Sequence, residues 1–251
     1  MTIEIPFRPE AKKNPLVIEG AETVKATLEI ANSSKNRKKD LRFIDLSYQD
    51  LIEIDLHEGS LSYANFYKAK LDRANLHNAY LNNADFNNAH LHGTFLTSAE
   101  LANADFTDAN LHETKLKWAD LTKANLTNAN LTNADLTNAI LIGTNLFKAD
   151  FAGAKLDQVL VDKDNAYALI RRMAEGKCPV LKSIRVGDDP DNYETWDAAR
   201  LDMEIKRERQ KSGLIPGALA QAVTGGQGPS TTVRAPDLPV TSFPDTPEFH
   251  I

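Results

Sequence analysis

Leu or Phe stands at almost every position numbered 5n+1, from Leu41 through Phe66, Phe86, Leu101, Phe106, Phe151 and Leu156, and the run closes at Val161. Two residues before most of these stands a small residue. From Ala64 to Ala154 it is Ala, except at Thr94, Thr114 and Thr144. Asn or Asp mostly fills the place between, as in Ala124-Asn125-Leu126. A period of five fits neither a 3.6-residue helix nor a long two-residue alternation. It fits a short strand followed by a corner. Alternation sends Ala and Leu of each unit inward and Asn outward, and the next two residues turn the chain.

The number of sides follows from longer spacings. Phe66, Phe86 and Phe106 recur every 20 residues, as do the corner pairs His57/His77 and His92/His112. The outward residues on the Phe side, Asp45, Asn65, Asp85, Asp105, Asn125 and Asn145, are all Asp or Asn. Twenty residues make four sides per turn, with like residues stacked about 4.8 Å apart at the inter-strand spacing. Paired large and small inward side chains fill the bore, so no ligand tunnel is expected. Six coils give a rod about 29 Å long at that spacing. No Pro occurs between Leu16 and Cys178, as expected if each backbone N–H serves the neighbouring coil. Ile44, Gln49, Ile54 and Gly59 replace the small Ala, so the first coil is expected to be irregular or widened.

This segment resembles the pentapeptide-repeat family, whose pattern is A-(D/N)-L-x-x, over residues 41–161. The resemblance implies an all-β solenoid, a right-handed quadrilateral β-helix. It implies no particular function, because fold and function separate.

An open solenoid end is a template for aggregation, so caps are expected. Residues 1–40 read as an N-terminal cap. There Leu16-Val17-Ile18 and the alternating Thr23–Ile30 suggest a strand pair, while Val24, Leu28 and Ala31 also fit a helix over 21–31. Residues 162–211 read as a helical C-terminal cap. Asp164 is the expected N-cap of a helix over Asn165–Glu175, whose Leu169, Ile170 and Met173 cover the last coil. A second helix is expected over Glu194–Lys211, with Trp196, Ala199 and Met203 as its apolar stripe. Residues 212–251, with six Pro and five Gly, read as a disordered tail.

Charge narrows the function. The net charge of −6 is concentrated in residues 41–161, with 9 basic and 15 acidic side chains, which opposes direct nucleic-acid binding. The basic run Lys35–Lys39 reads as a solvated loop. The single Cys178 excludes an intrachain disulfide. No signal-peptide-like run opens the chain, and no apolar stretch has membrane-spanning length. A cytoplasmic protein is expected, with signal-less export left open.

Candidate chemistry is sparse. Stacked His pairs bring imidazoles near carboxylates such as Glu113, but corner residues face water and match no ligand motif. Flat faces offer no cleft for a catalytic triad. No catalytic, cofactor or metal residue is assigned, no cofactor is expected, and an enzyme ranks a distant third. The favoured reading is a non-catalytic interaction scaffold or adaptor with a protein partner, and helix 194–211 offers a route to a homodimer. The runner-up is suggested by the resemblance: some family members mimic a DNA duplex and bind type II topoisomerases such as gyrase. The candidate contact residues are Asp45, Asp85 and Asp105 on the Phe side, the exposed Trp118, and Phe243, Phe249 and Ile251 in the tail. The tail apolars are spaced by Pro244 and Pro247, which hold a chain extended for docking. Tyr63, Tyr67, Tyr80, Phe95 and Phe147 are further outward or corner aromatics.

Overall fold

The computed structural model describes residues 2–6, 8–9, 16–19, 24–32, 40–174, 178 and 181–212. From Asp40 to Leu160 the chain coils with one parallel bridge on each side per turn, always between residues 20 apart: Asp45↔Asn65, Asp50↔Lys70, Asp55↔Asn75, Ser60↔Tyr80. Four bridges per 20 residues make the coil four-sided. Each outward residue is bonded to the coil before through both main-chain groups, as Asn65 donates its N–H to Ile44 O (2.8 Å) and accepts at its C=O from Leu46 N–H (2.8 Å). The inward Leu, Phe and Ala side chains are 0–4% exposed, so the interior is sealed. Phe66, Phe86 and Phe106 stack face to face at 4.8 Å, the inter-coil spacing.

The corners explain the polar half of the pattern. In each, the N–H of the small inward residue donates back to the large one, as Ala64 does to Leu61 O at 3.0 Å. The residue between, at 5n+3, has positive φ at every corner from Phe43 to Gln158. A three-residue-back bond with φ > 0 at the third position is the type II turn pattern. That position favours Gly and Asn, because an L side chain there crowds its own backbone. At most of the outward Asp and Asn positions the side-chain oxygen accepts the N–H two residues on, as Asp105 does from Thr107 (2.9 Å). This turn-forming bond is the physical reason for the A-(D/N)-L order.

Inward Thr also has a reason. Thr94, Thr114 and Thr144 are 0–4% exposed, and their hydroxyls donate to the carbonyls of Leu71, Leu91 and Leu121 at 2.7–2.9 Å. Each hydroxyl is satisfied by the second lone pair of a carbonyl on the coil before.

The first coil departs from expectation. Despite Ile44 and Ile54 it bridges in register with the second, and both Ile side chains are fully buried. The bore near its mouth accommodates the larger side chains without a widened backbone.

The N-terminal segment corrects the expected strand pair. Strand β1 (Thr2–Ile5) pairs antiparallel with β2 (Leu16–Glu19), and the segment after β2 is helix α1 (Val24–Asn32). Pro6 O accepts from Asp45 N–H (2.8 Å) and Arg8 N–H donates to Phe43 O (2.6 Å), standing in for a missing coil. Leu28 of α1 is fully buried, and Lys25 Nζ donates to Ile52 O at 2.6 Å. Helical packing of Leu28 outweighs the β-like alternation around it.

At the other end, β3 (Leu160–Val161) leads into α2 (Lys163–Ala174). The N-cap is Asp162 and not Asp164: Asp162 Oδ1 accepts from Asn165 N–H at 2.8 Å. Leu169 and Ile170 are fully buried and Met173 nearly so. A hairpin that the sequence reading missed follows. Strand β4 (Ser183–Asp189) pairs parallel with β3, Leu160↔Arg185, and antiparallel with β5 (Asn192–Asp197). The expected helix over 194–211 therefore begins later, as α3 (Ala198–Ser212), capped by Asp197 Oδ1 to Arg200 N–H (2.8 Å). Trp196 is buried from the strand, not from a helical stripe, and Met203 is 38% exposed. The face that α3 turns inward is Leu201, Glu204 and Ile205. Buried Glu204 accepts from Arg200 (3.1 Å) and Arg207 (2.8 Å). Among the described residues, no helix is long and apolar enough to cross a membrane.

Candidate interaction surface

The outward Asp and Asn column on the Phe side is bound into the coil. Asp45, Asn65, Asp85, Asp105, Asn125 and Asn145 each accept the N–H two residues on, at 2.9–3.1 Å. Asn65 Nδ2 donates down the column to Asp45 Oδ1 at 2.9 Å. Amides between carboxylates thus supply donors and spread the charge. Asp85 stacks directly on Asp105, and Arg8 Nη2 pairs with Asp85 at 3.2 Å. Asp105 also accepts from the Thr107 hydroxyl at 2.6 Å, so all three candidate residues on this side already hold a side-chain partner from the chain itself.

Other sides are mixed in sign. Asp135, only 6% exposed, lies within 3.4 Å of Lys117 and 3.8 Å of Lys155. Burial works against its charged form, but bonds from the Thr137 hydroxyl and N–H and from Lys117 outweigh it, and its pKa lies below the ordinary value.

Large apolar side chains stand out from this background. Trp118 is 59% exposed and sits at a corner with φ +61°. Phe147, Phe95 and Tyr80 are exposed on other parts of the surface. Around the first two coils the structure gathers a group that the sequence reading recognised only in part. Phe43 stacks on Tyr63 at 4.7 Å, and Tyr48 meets Tyr67 edge-on at 5.4 Å. Lys68 lies over both Tyr48 and Tyr67 rings. The signal for Phe43 and Tyr48 was there: both occupy the 5n+3 corner position, which faces out. Phe243, Phe249 and Ile251 lie outside the described residues, as does the run Lys35–Lys39.

Cys178 is buried, and burial pushes its thiol up to about 12, with Arg172 opposing, so it is a poor nucleophile. A depression of about 480 Å³ lies between the last coil and α2. Thr144, Lys148, Asn165 and Arg172 line it, and its lining has no carboxylate, His or Cys.

The fold and surface define a sealed, four-sided parallel β-solenoid with capped ends. The pentapeptide-repeats family profile matches it in eight copies, over residues 40–78, 84–122 and 124–160. Through these residues the chain belongs to the pentapeptide-repeat family, whose coil is a right-handed quadrilateral β-helix. Among solved structures, HetL, a pentapeptide repeat protein involved in heterocyst differentiation regulation from Nostoc, is 27% identical. That alignment covers 47% of this chain and 68% of HetL, with TM-score 0.24. A pentapeptide repeat protein of the Arabidopsis thaliana thylakoid lumen is 27% identical over 61% of this chain and 83% of its own, TM-score 0.26. QnrB1, a plasmid-mediated fluoroquinolone resistance protein, is 22% identical over 47% of this chain and 68% of its own, TM-score 0.27. No curated protein sequence matches the chain.

Proposed function

We propose that the rod is a non-catalytic scaffold that binds a protein partner through aromatic side chains on its outer surface, Trp118 foremost. The observation that carries this reading is the conflict at Trp118. A bulky residue in the left-handed region costs about 1–2 kcal/mol, and burial does not repay it, because the side chain is 59% exposed. Local stability favours Asn or Gly there, as at Asn78 and Asn138 on the same corner column. Trp is also among the residues enriched in binding hot spots. The tail residues Phe243, Phe249 and Ile251 offer a second candidate contact on sequence grounds.

The DNA-mimic reading stands behind this one. Mimicry needs a dense line of free carboxylates, since a duplex carries one charge per ~1.7 Å. On the Phe side three Asp share the column with three Asn, and Asp85 is paired with Arg8.

Quantitative pull-down from the host, with wild type, Trp118→Ala, Tyr63→Ala and a chain lacking residues 238–251, tests the proposal. At least one partner is expected to be lost from Trp118→Ala at an unchanged melting temperature. Retention of every partner by all three variants would overturn the reading. In parallel, micromolar protein is expected to leave gyrase supercoiling unaffected. Inhibition relieved by Asp85→Lys with Asp105→Lys would put mimicry in front.

A further inference from the structure

On one corner column Asp72, His92, His112 and Thr132 follow at intervals of 20 and stand one above another. The His92 and His112 rings stack at 5.2 Å with 11° between planes. Thr132 Oγ1 donates to Asn130 Oδ1 (2.8 Å), which uses its only proton. The contact of 2.6 Å between Thr132 Oγ1 and His112 Nδ1 must therefore be donated by the imidazole. That places the proton on Nδ1 and leaves Nε2 as a lone pair. Nε2 faces Glu113 Oε1 at 3.3 Å. Two lone-pair atoms at that distance repel unless a cation lies between them, either a proton or a metal ion.

Three further observations favour a metal. One ligand atom each of His92, His112 and Glu113 lie within 4.8 Å of one another. The next corner position is Gly93, with φ +65°, so the residue directly before Glu113 on that column carries no side chain of its own. The nearest cation on the column, Arg73, is paired with Glu53 at 3.2 Å on the coil before.

We propose that His92, His112 and Glu113 bind one divalent first-row transition cation of the zinc class across two adjacent coils. The donor set of two imidazoles and a carboxylate suits such ions, with a fourth position open to solvent. Bonds of about 2.1 Å set neighbouring ligand atoms roughly 3.4 Å apart in a tetrahedral site. The His112–Glu113 pair already has that separation, at 3.3 Å. His92 is partly exposed and closes the remaining distance by side-chain rotation. Thr132 acts as a positioning residue that holds the His112 tautomer.

The test uses the full chain without a histidine tag, stripped with EDTA and titrated with CoCl₂ by visible absorption and with ZnCl₂ by calorimetry. One equivalent is expected to bind, and Zn²⁺ to displace Co²⁺. His112→Asn and Glu113→Gln are each expected to weaken binding at least 10-fold. Thr132→Val is expected to weaken it less, and His57→Asn with His77→Asn to leave it unchanged. ZnCl₂ should raise the melting temperature of wild type and not of Glu113→Gln, because the ion binds only the folded coil. Metal-free melts of the variants check the fold. Absence of saturable binding up to about 1 mM, or binding unaffected by both His112→Asn and Glu113→Gln, would overturn the proposal.

Discussion

The side-chain amide of Asn165 donates to the carbonyls of Leu141 and Thr144, both at 3.0 Å, and so joins α2 to the last coil. The Thr144 carbonyl has no following coil to serve, and the Leu141 carbonyl, which closes its own turn with Thr144 N–H at 3.3 Å, gains a second donor. Arg172 Nη2 does the same for Leu146 O at 2.5 Å, and Arg185 Nε for Gln158 O at 2.8 Å. The stack thus ends on side chains and on β4, and β5 forms the outer edge with Glu194 and Asp197 on it. Charged edge residues oppose further strand addition.

Asn165→Ala is expected to strip the Thr144 carbonyl of its donor and the Leu141 carbonyl of its second one. Each unsatisfied group costs about 1–3 kcal/mol, so the melting temperature should fall by several degrees, while Lys163→Ala leaves it unchanged. Thermal circular dichroism checks this, and light scattering should show earlier aggregation from the opened end. An Asn165→Ala melt equal to wild type would remove the cap assignment.

Leu101 is fully buried at mid-rod. Leu101→Lys buries an unpaired charge and is expected to cost several kcal/mol. The outward control must be chosen with care. Asn110 accepts from His112 N–H (3.2 Å) and from Asn130 Nδ2 (3.2 Å), so its replacement is not silent. His90, exposed on the same side, is the better position for Lys. Melting curves of Leu101→Lys and His90→Lys should separate widely.

Trp118→Asn should move stability and binding in opposite directions. Asn tolerates the left-handed φ of +61°, so stability is expected to rise by up to about 1 kcal/mol, while partner recovery falls. A drop in melting temperature would mean that the indole packs on the rod, and would count against a role in recognition.

Asp135 predicts an acid limb. Its folded pKa lies below the ordinary value of 3.8, so the folded chain binds fewer protons than the unfolded one there. Its contribution is fully present above that value and is lost as pH falls through the folded pKa. Denaturant melts between about pH 2 and 5 should show a shallower loss of stability for Asp135→Asn than for wild type. Identical slopes would show that the Lys117 and Thr137 contacts do not favour the charged form.

The sequence alone determined the coil. Its period, the inward Leu and Ala, the 20-residue turn and the Asp/Asn column are all readable, because each unit meets copies of itself above and below. A short-range pattern then carries the long-range contacts, and one unit's environment is known from its neighbours. Even Ile44 and Ile54 did not disturb that register. The ends obey no such rule. Whether 24–32 became helix or strand rested on where Leu28 and Lys25 could pack, over Ile52 and the first coil. The β4–β5 hairpin had a signal, with Ile184 and Val186 alternating before the Asp189–Asn192 turn. The helical spacing of Trp196, Ala199 and Met203 masked it, and only pairing with Leu160 decided between them. The candidate surface divides in the same way. The stacking of His92 on His112 was legible from their spacing. The proton position that turns Nε2 toward Glu113 was decided by Thr132 and Asn130, whose hydrogen bonds exist only once the coils are stacked.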